Sequence, residues 1–202
     1  MPAPAAPWRP PPSLLDDVRR RYDEPHRCYH DRRHLAAVEG NIDLLLAHSP
    51  SAVGAQAIRL AAVFHDAVYE IGRDDNEARS AALARAQLTS SGAPSSLVDE
   101  VVRLIMLTAD HAPTADDAAG SVLCDADLAI LGARPDAYRR YAADVRAEWA
   151  HLDDARFSAG RTAILHRLLG RPRLFGTQAA YERWEPQARR NVAEELARLA
   201  AT

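Results

Sequence analysis

Apolar positions recur with a helical period almost everywhere after residue 12. Leu14, Leu15 and Val18 mark a first helix reaching about Tyr22, with Ser13 and Asp16 spaced like a capping box. In a second helix, starting near Asp31, His34, Val38, Ile42 and Leu45 share one face, which turns His34 into the apolar stripe. A third is expected over about 54–69. Its segment Leu60-Ala61-Ala62-Val63-Phe64 is apolar on every side and reads as a buried central helix, closed by His65 and Asp66. A fourth is expected over about 76–88, broken by Ser90-Ser91-Gly92-Ala93-Pro94, and a fifth over about 95–109, stopped by Ala112-Pro113. After a polar loop from Thr114 to Ser121, a sixth runs from Val122 to Leu131 and stops at Gly132, with Asp125 and Asp127 inside its apolar run. Three more are read over about 135–150, over about 158–169 and from Glu185-Pro186, a cap and first residue, onward. No strand-like alternation or internal repeat occurs. The fold class is all-α, a bundle of about eight to ten helices.

At 202 residues the chain suits one domain, expected over 13–202. The preceding stretch, MPAPAAPWRPPP, is Pro-rich and expected to be disordered or extended, and it lacks the basic and apolar regions of a secretory leader. A net charge of -3 gives no footprint for a nucleic-acid polymer, although a charged cleft could still take a small anionic substrate. No apolar run approaches the roughly 18 residues of a spanning helix, so no membrane partner is expected. Cys28 and Cys124 are too few for a disulfide framework and form no CxxC pair. They read as packing residues in a reduced, cytoplasmic setting.

Four polar residues lie on apolar faces without an obvious local partner: His34, His65, Asp66 and Asp127. Burying an unpaired charge or imidazole costs several kcal/mol, roughly, so something must compensate them. A divalent cation would do so, and two imidazoles with two carboxylates suit Zn, Mn or Fe. A core histidine bonded to a nearby carboxylate, without metal, explains the spacing equally well. Successive helical residues point about 100° apart, so His65 and Asp66 can reach one cation only at a helix end or in a crowded bundle centre.

The segments Tyr29-His30-x3-His34-Leu35, Phe64-His65-Asp66-Ala67-Val68-Tyr69 and Asp125-Ala126-Asp127-Leu128 resemble the HD-domain superfamily of metal-dependent phosphohydrolases. Closest in kind are its predicted members of about 200 residues. The likeness runs over roughly 20–200 and takes in Asp74-Asp75-Asn76-Glu77-x2-Ser80, Thr108-x2-His111, Gly160-Arg161 and Asn191. It implies that His34, His65, Asp66 and Asp127 hold a divalent metal (Mn, Mg, Zn, Co or Fe). Asp125 competes with Asp127 as ligand and is otherwise read as orienting a ligand or water. The implied activity is hydrolysis of a phosphomonoester or nucleotide by a metal-activated water, with Asp66 taking part. Alternatives are a di-iron oxygenase on the same scaffold, or a module that binds metal or nucleotide without turnover.

His30 lies on the face of His34 and, with His111, is a candidate for substrate phosphate or a second ion. Asn76 and Glu77 open a helix whose N-terminus could face an anion. Arg33, Arg73 and Arg161 are candidate phosphate partners. Many HD hydrolases carry a glutamate three residues after the central Asp. Tyr69 stands there in this chain, which leaves Glu70, Glu77 or Asp66 for acid–base work.

Overall fold

A computed structural model describes residues 8–48 and 54–201. Among them are nine α-helices and no strand: α1 (Pro12–Arg21), α2 (Arg32–His48), α3 (Ala55–Phe64), α4 (Asn76–Ser90), α5 (Ser95–Leu107), α6 (Ala118–Leu128), α7 (Pro135–Glu148), α8 (Asp154–Leu169) and α9 (Gln178–Leu199), with a 3-10 turn at Ala129–Gly132. The all-α bundle expected from the periodicity is the observed architecture. No described helix is long and apolar enough to cross a membrane.

The core is one apolar cluster reaching from Val18 in α1 to Val192 in α9. α3 is its axis. Ile58, Ala61, Ala62 and Phe64 are fully buried, and apart from exposed Gln56 and Arg59 near its start the helix packs against α1, α2, α4, α5 and α6. α2 lies against both α3 and α6, which brings the ends of three helices carrying His34, His65, Asp66 and Asp127 to one place.

Several boundaries differ from the sequence expectation, each for a local reason. α3 stops at Phe64 rather than near Tyr69. The backbone that would continue it is bonded to side chains instead: Tyr22 Oη donates to Val63 O, Arg27 donates to Asp66 O, and Ser80 Oγ bonds both N and O of Val68. α6 begins at Ala118, capped by the Asp117 carboxylate, and gives way after Leu128 to the 3-10 turn. α8 begins at Asp154, capped by Asp153. α9 begins at Gln178, capped by Thr177, so Pro186 lies inside it. Glu185 is no cap. Its buried carboxylate accepts from the N–H groups of Leu174 and Phe175 and from Arg189. Ser13 makes no capping bond, because α1 opens on Pro12.

Residues 1–7 of the Pro-rich stretch lie outside the described residues. The expected disorder does not reach Trp8, whose indole N–H donates to Ser91 O and which packs on the core. Where the 3-10 turn crosses α9, Gly132 lies against Trp184: a Cβ there would come within 2.4 Å of the Trp184 Cβ and 2.8 Å of its Cα. Asn191 ties the same turn to α9 by donating to Leu131 O and Ala133 O.

Candidate metal centre

His34 lies in the first turn of α2, His65 and Asp66 at the C-terminal end of α3, and Asp127 in the last turn of α6. The early end of α3 is what lets His65 and Asp66 turn toward the same point. The Nε2 atoms of His34 and His65 are 3.2 Å apart. Asp127 Oδ1 is 3.2 Å from His34 Nε2 and 3.7 Å from His65 Nε2, while Asp66 Oδ2 is 3.5 Å and 3.1 Å from the same atoms. One ligand atom each from His34, His65 and Asp127 lies within 4.8 Å of the others. His65 Nδ1 is 2.8 Å from Ala62 O, a carbonyl that can only accept. Nδ1 therefore carries a proton, so the neutral ring offers its Nε2 lone pair to the cluster.

Burial alone would lower the basicity of both imidazoles. The facing carboxylates outweigh it, and Asp127 with Asp66 pushes His34 up to about 10. His65 is raised for the same reason, mainly by the charge of Asp66. Burial would likewise raise Asp66 and Asp127, yet the two histidines hold both well below the usual carboxylate range, helped at Asp127 by His111. Without a cation, protons thus compensate the buried carboxylates. The imidazole nitrogens of His34 and His65 with the Asp127 carboxylate, and Asp66 Oδ2 beside both imidazoles, form a donor set that fits Zn, Mn or Fe.

His111 is brought to this site. Its Nε2 lies 2.8 Å from Asp127 Oδ2, so the carboxylate is held from both sides. Its backbone adopts φ 51°, uncommon for a residue with a side chain, and Arg171 grips the carbonyls of Asp110 and His111. His30 is also adjacent, its ring 5.6 Å from that of His34 and stacked on Tyr69 at 4.3 Å.

Other candidates are committed elsewhere. Asp125 accepts from the N–H groups of Gly176 and Thr177, both at 2.7 Å, so it anchors the entry to α9. Asn76 is buried and clasps the Glu70 backbone through both N–H and O. Glu70 itself is exposed and paired with Arg79 at 2.5 Å, and Arg73 pairs with Asp75. Glu77 lies in the first turn of α4, partly exposed. Arg161 is buried against Glu195 and Tyr141.

Arg33 stands at a cleft of about 370 Å³ that opens onto His34 and Asp127. Its walls include Tyr29, Ala126, Ile130 and Tyr141. Arg33, paired with Asp31 and reaching Asp144 at 3.4 Å, joins α2 to α7 there, and Arg140 is a further cation of the lining.

Two contributors were not foreseen from the sequence. Arg27 has a fully buried side chain that donates to His30 O and Asp66 O, tying the loop before α2 to the end of α3. Glu148, at the end of α7, gathers the N–H groups of Cys28, Tyr29 and His30 on one carboxylate oxygen. The only trace in the sequence was a charged residue within a helical stripe.

No protein-family model matches the chain, and no curated protein or solved structure does. The chemistry of the site therefore carries the functional reading.

Proposed function

We propose that the protein is a metal-dependent phosphohydrolase of the HD-domain type, acting on a phosphomonoester or nucleotide. The observation that carries this reading is the convergence of His34, His65, Asp66 and Asp127, of which His34 and Asp127 line an open cleft. His34, His65 and Asp127 would hold the cation, with Asp66 beside them. When bound, a divalent cation supplies charge stabilisation on phosphoryl oxygens and acidifies water. Asp66 is the group placed to take a proton from the attacking water, at Oδ2. His111 keeps Asp127 aimed inward through its Oδ2. Arg33 and Arg140 offer guanidinium groups to the free phosphate oxygens at the cleft.

The test is phosphate release by chelator-stripped protein from a panel of nucleotides and phosphate esters, with Mn, Mg, Zn, Co or Fe(II) added singly. Metal-dependent release that is absent in Asp66→Ala supports the reading. No release with any metal, from a protein that still binds metal, contradicts it. Oxygen-dependent turnover with Fe(II) and a mixed-valent EPR signal would replace it with di-iron oxygenase chemistry.

A further inference from the structure

The loop 28–30 immediately before α2 is held by a carboxylate from a distant helix. Glu148 is 118 residues away from His30, and its side chain is fully buried. Oε1 accepts three backbone N–H groups, from Cys28, Tyr29 and His30, at 2.8–2.9 Å. Oε2 accepts the Tyr69 hydroxyl at 2.9 Å and lies 2.7 Å from His30 Nδ1. Burial would raise this carboxyl, but the His30 contact and the backbone donors outweigh it and hold it at about 2. An ionised carboxylate can only accept hydrogen bonds, so the proton of a neutral His30 sits on Nδ1. In the imidazole ring Nε2 then faces away from Glu148. Among the described residues it has no hydrogen-bond partner, and the ring stands edge-on to His34 and is 24% exposed. Tyr69, stacked on the ring, prevents it from rotating out of this arrangement.

We propose that Glu148 is a positioning residue: it fixes His30 in the Nδ1–H tautomer, so that Nε2 presents a lone pair to the O–H of a water bound beside His34 and Asp66. The identity of that water as the nucleophile rests on the phosphohydrolase reading; the tautomer does not. His30 orients the water by accepting its hydrogen bond, while Asp66 takes the proton. Geometry alone gives a buried five-donor carboxylate a role beyond loop anchoring, since anchoring needs only Oε1.

Glu148→Gln separates the two roles. The amide oxygen can replace Oε1 and keep the three backbone N–H groups. Its NH2 then replaces the acceptor Oε2 with a donor, which bonds the lone pair of Nδ1 and drives His30 to the Nε2–H tautomer. The experiment is a long-range 1H–15N correlation on histidine-labelled full-length protein, with His30→Asn identifying the resonance. The expected result is Nδ1–H in the wild type and Nε2–H in Glu148→Gln, with Mn(II) affinity by EPR within about twofold of wild type. For a phosphate ester that the wild type hydrolyses, kcat falls by at least about tenfold with KM little changed. An Nε2–H or mixed tautomer in the wild type overturns the assignment, and this holds even if Glu148→Gln fails to fold. A flipped tautomer with unchanged kcat overturns the water-orienting role. Absence of any turnover by the wild type counts against the hydrolase reading and leaves the tautomer to be decided by the spectrum.

Discussion

The Nε2 atoms of His34 and His65 face each other 3.2 Å apart, between the carboxylates of Asp66 and Asp127. Two buried imidazoles at that distance need either a shared proton or a cation between them. Without a cation the facing carboxylates favour protonated imidazoles, which accounts for the raised histidines and depressed aspartates of the metal-free cluster. A cation displaces those protons, and the competition between them has measurable consequences.

Metal binding should release protons and should strengthen as pH rises. In the metal-free protein His34 is raised from 6.5 to about 10. Its contribution to stability is therefore complete below 6.5 and is lost as pH rises toward 10. Asp66 and Asp127 are lowered from 3.8, so theirs is present above 3.8 and lost as pH falls below it. A cation inverts the histidine dependence, because it needs the neutral imidazole. Thermal unfolding with and without Mn(II) should show a larger metal-induced rise in Tm at about pH 8 than at about pH 6. Calorimetry in buffers of different ionisation enthalpy should report proton release.

Asp125 and Asp127, two residues apart, should separate cleanly. Asp127→Asn is expected to abolish tight Mn(II) binding. Asp125→Asn should keep it but lose about 1–3 kcal/mol of stability, since Gly176 and Thr177 bond different carboxylate oxygens and the amide leaves one of the two N–H groups facing a donor. Urea unfolding and an Mn(II) titration on each variant check this.

His111 supports Asp127 from a left-handed backbone position. Both His111→Ala and His111→Gly should weaken metal binding by roughly 10–100-fold. The glycine variant should be the more stable of the two, by about 1 kcal/mol, because φ 51° costs a Cβ but not a glycine. Chemical denaturation of the two variants decides it.

Gly132→Ala should destabilise the fold by about 1–3 kcal/mol, measured by urea unfolding. The new Cβ would meet the Trp184 backbone and Cβ within 2.8 Å, and Asn191 keeps the turn from moving aside.

Much of this site was legible in the sequence because burial and polarity conflicted there. His34 shares a stripe with Val38 and Ile42, and His65 and Asp66 close an all-apolar run. The helices followed from period alone, and their boundaries failed where side chains intercepted the backbone. Tyr22, Arg27 and Ser80 end α3 from positions far away in sequence, and no local pattern encodes that. Pro186 read as a helix start because proline suits N1, but Thr177 caps the helix earlier. Asp125 and Asp127 sit in the same apolar run. Only the backbone of 176–177 distinguishes the anchor from the candidate ligand. Arg27 and Glu148 stayed hidden because their partners are backbone groups brought near by folding.

The most direct test of the central claim is a titration of chelator-stripped wild-type protein and Asp127→Asn with Mn(II), Zn(II), Co(II) and Fe(II), followed by calorimetry and EPR. Saturable binding of at least one cation by the wild type, lost in the variant, is the predicted result. A wild type that binds none of them saturably, and whose Tm is unchanged by either metal or chelator, would contradict a metal centre at His34, His65, Asp66 and Asp127.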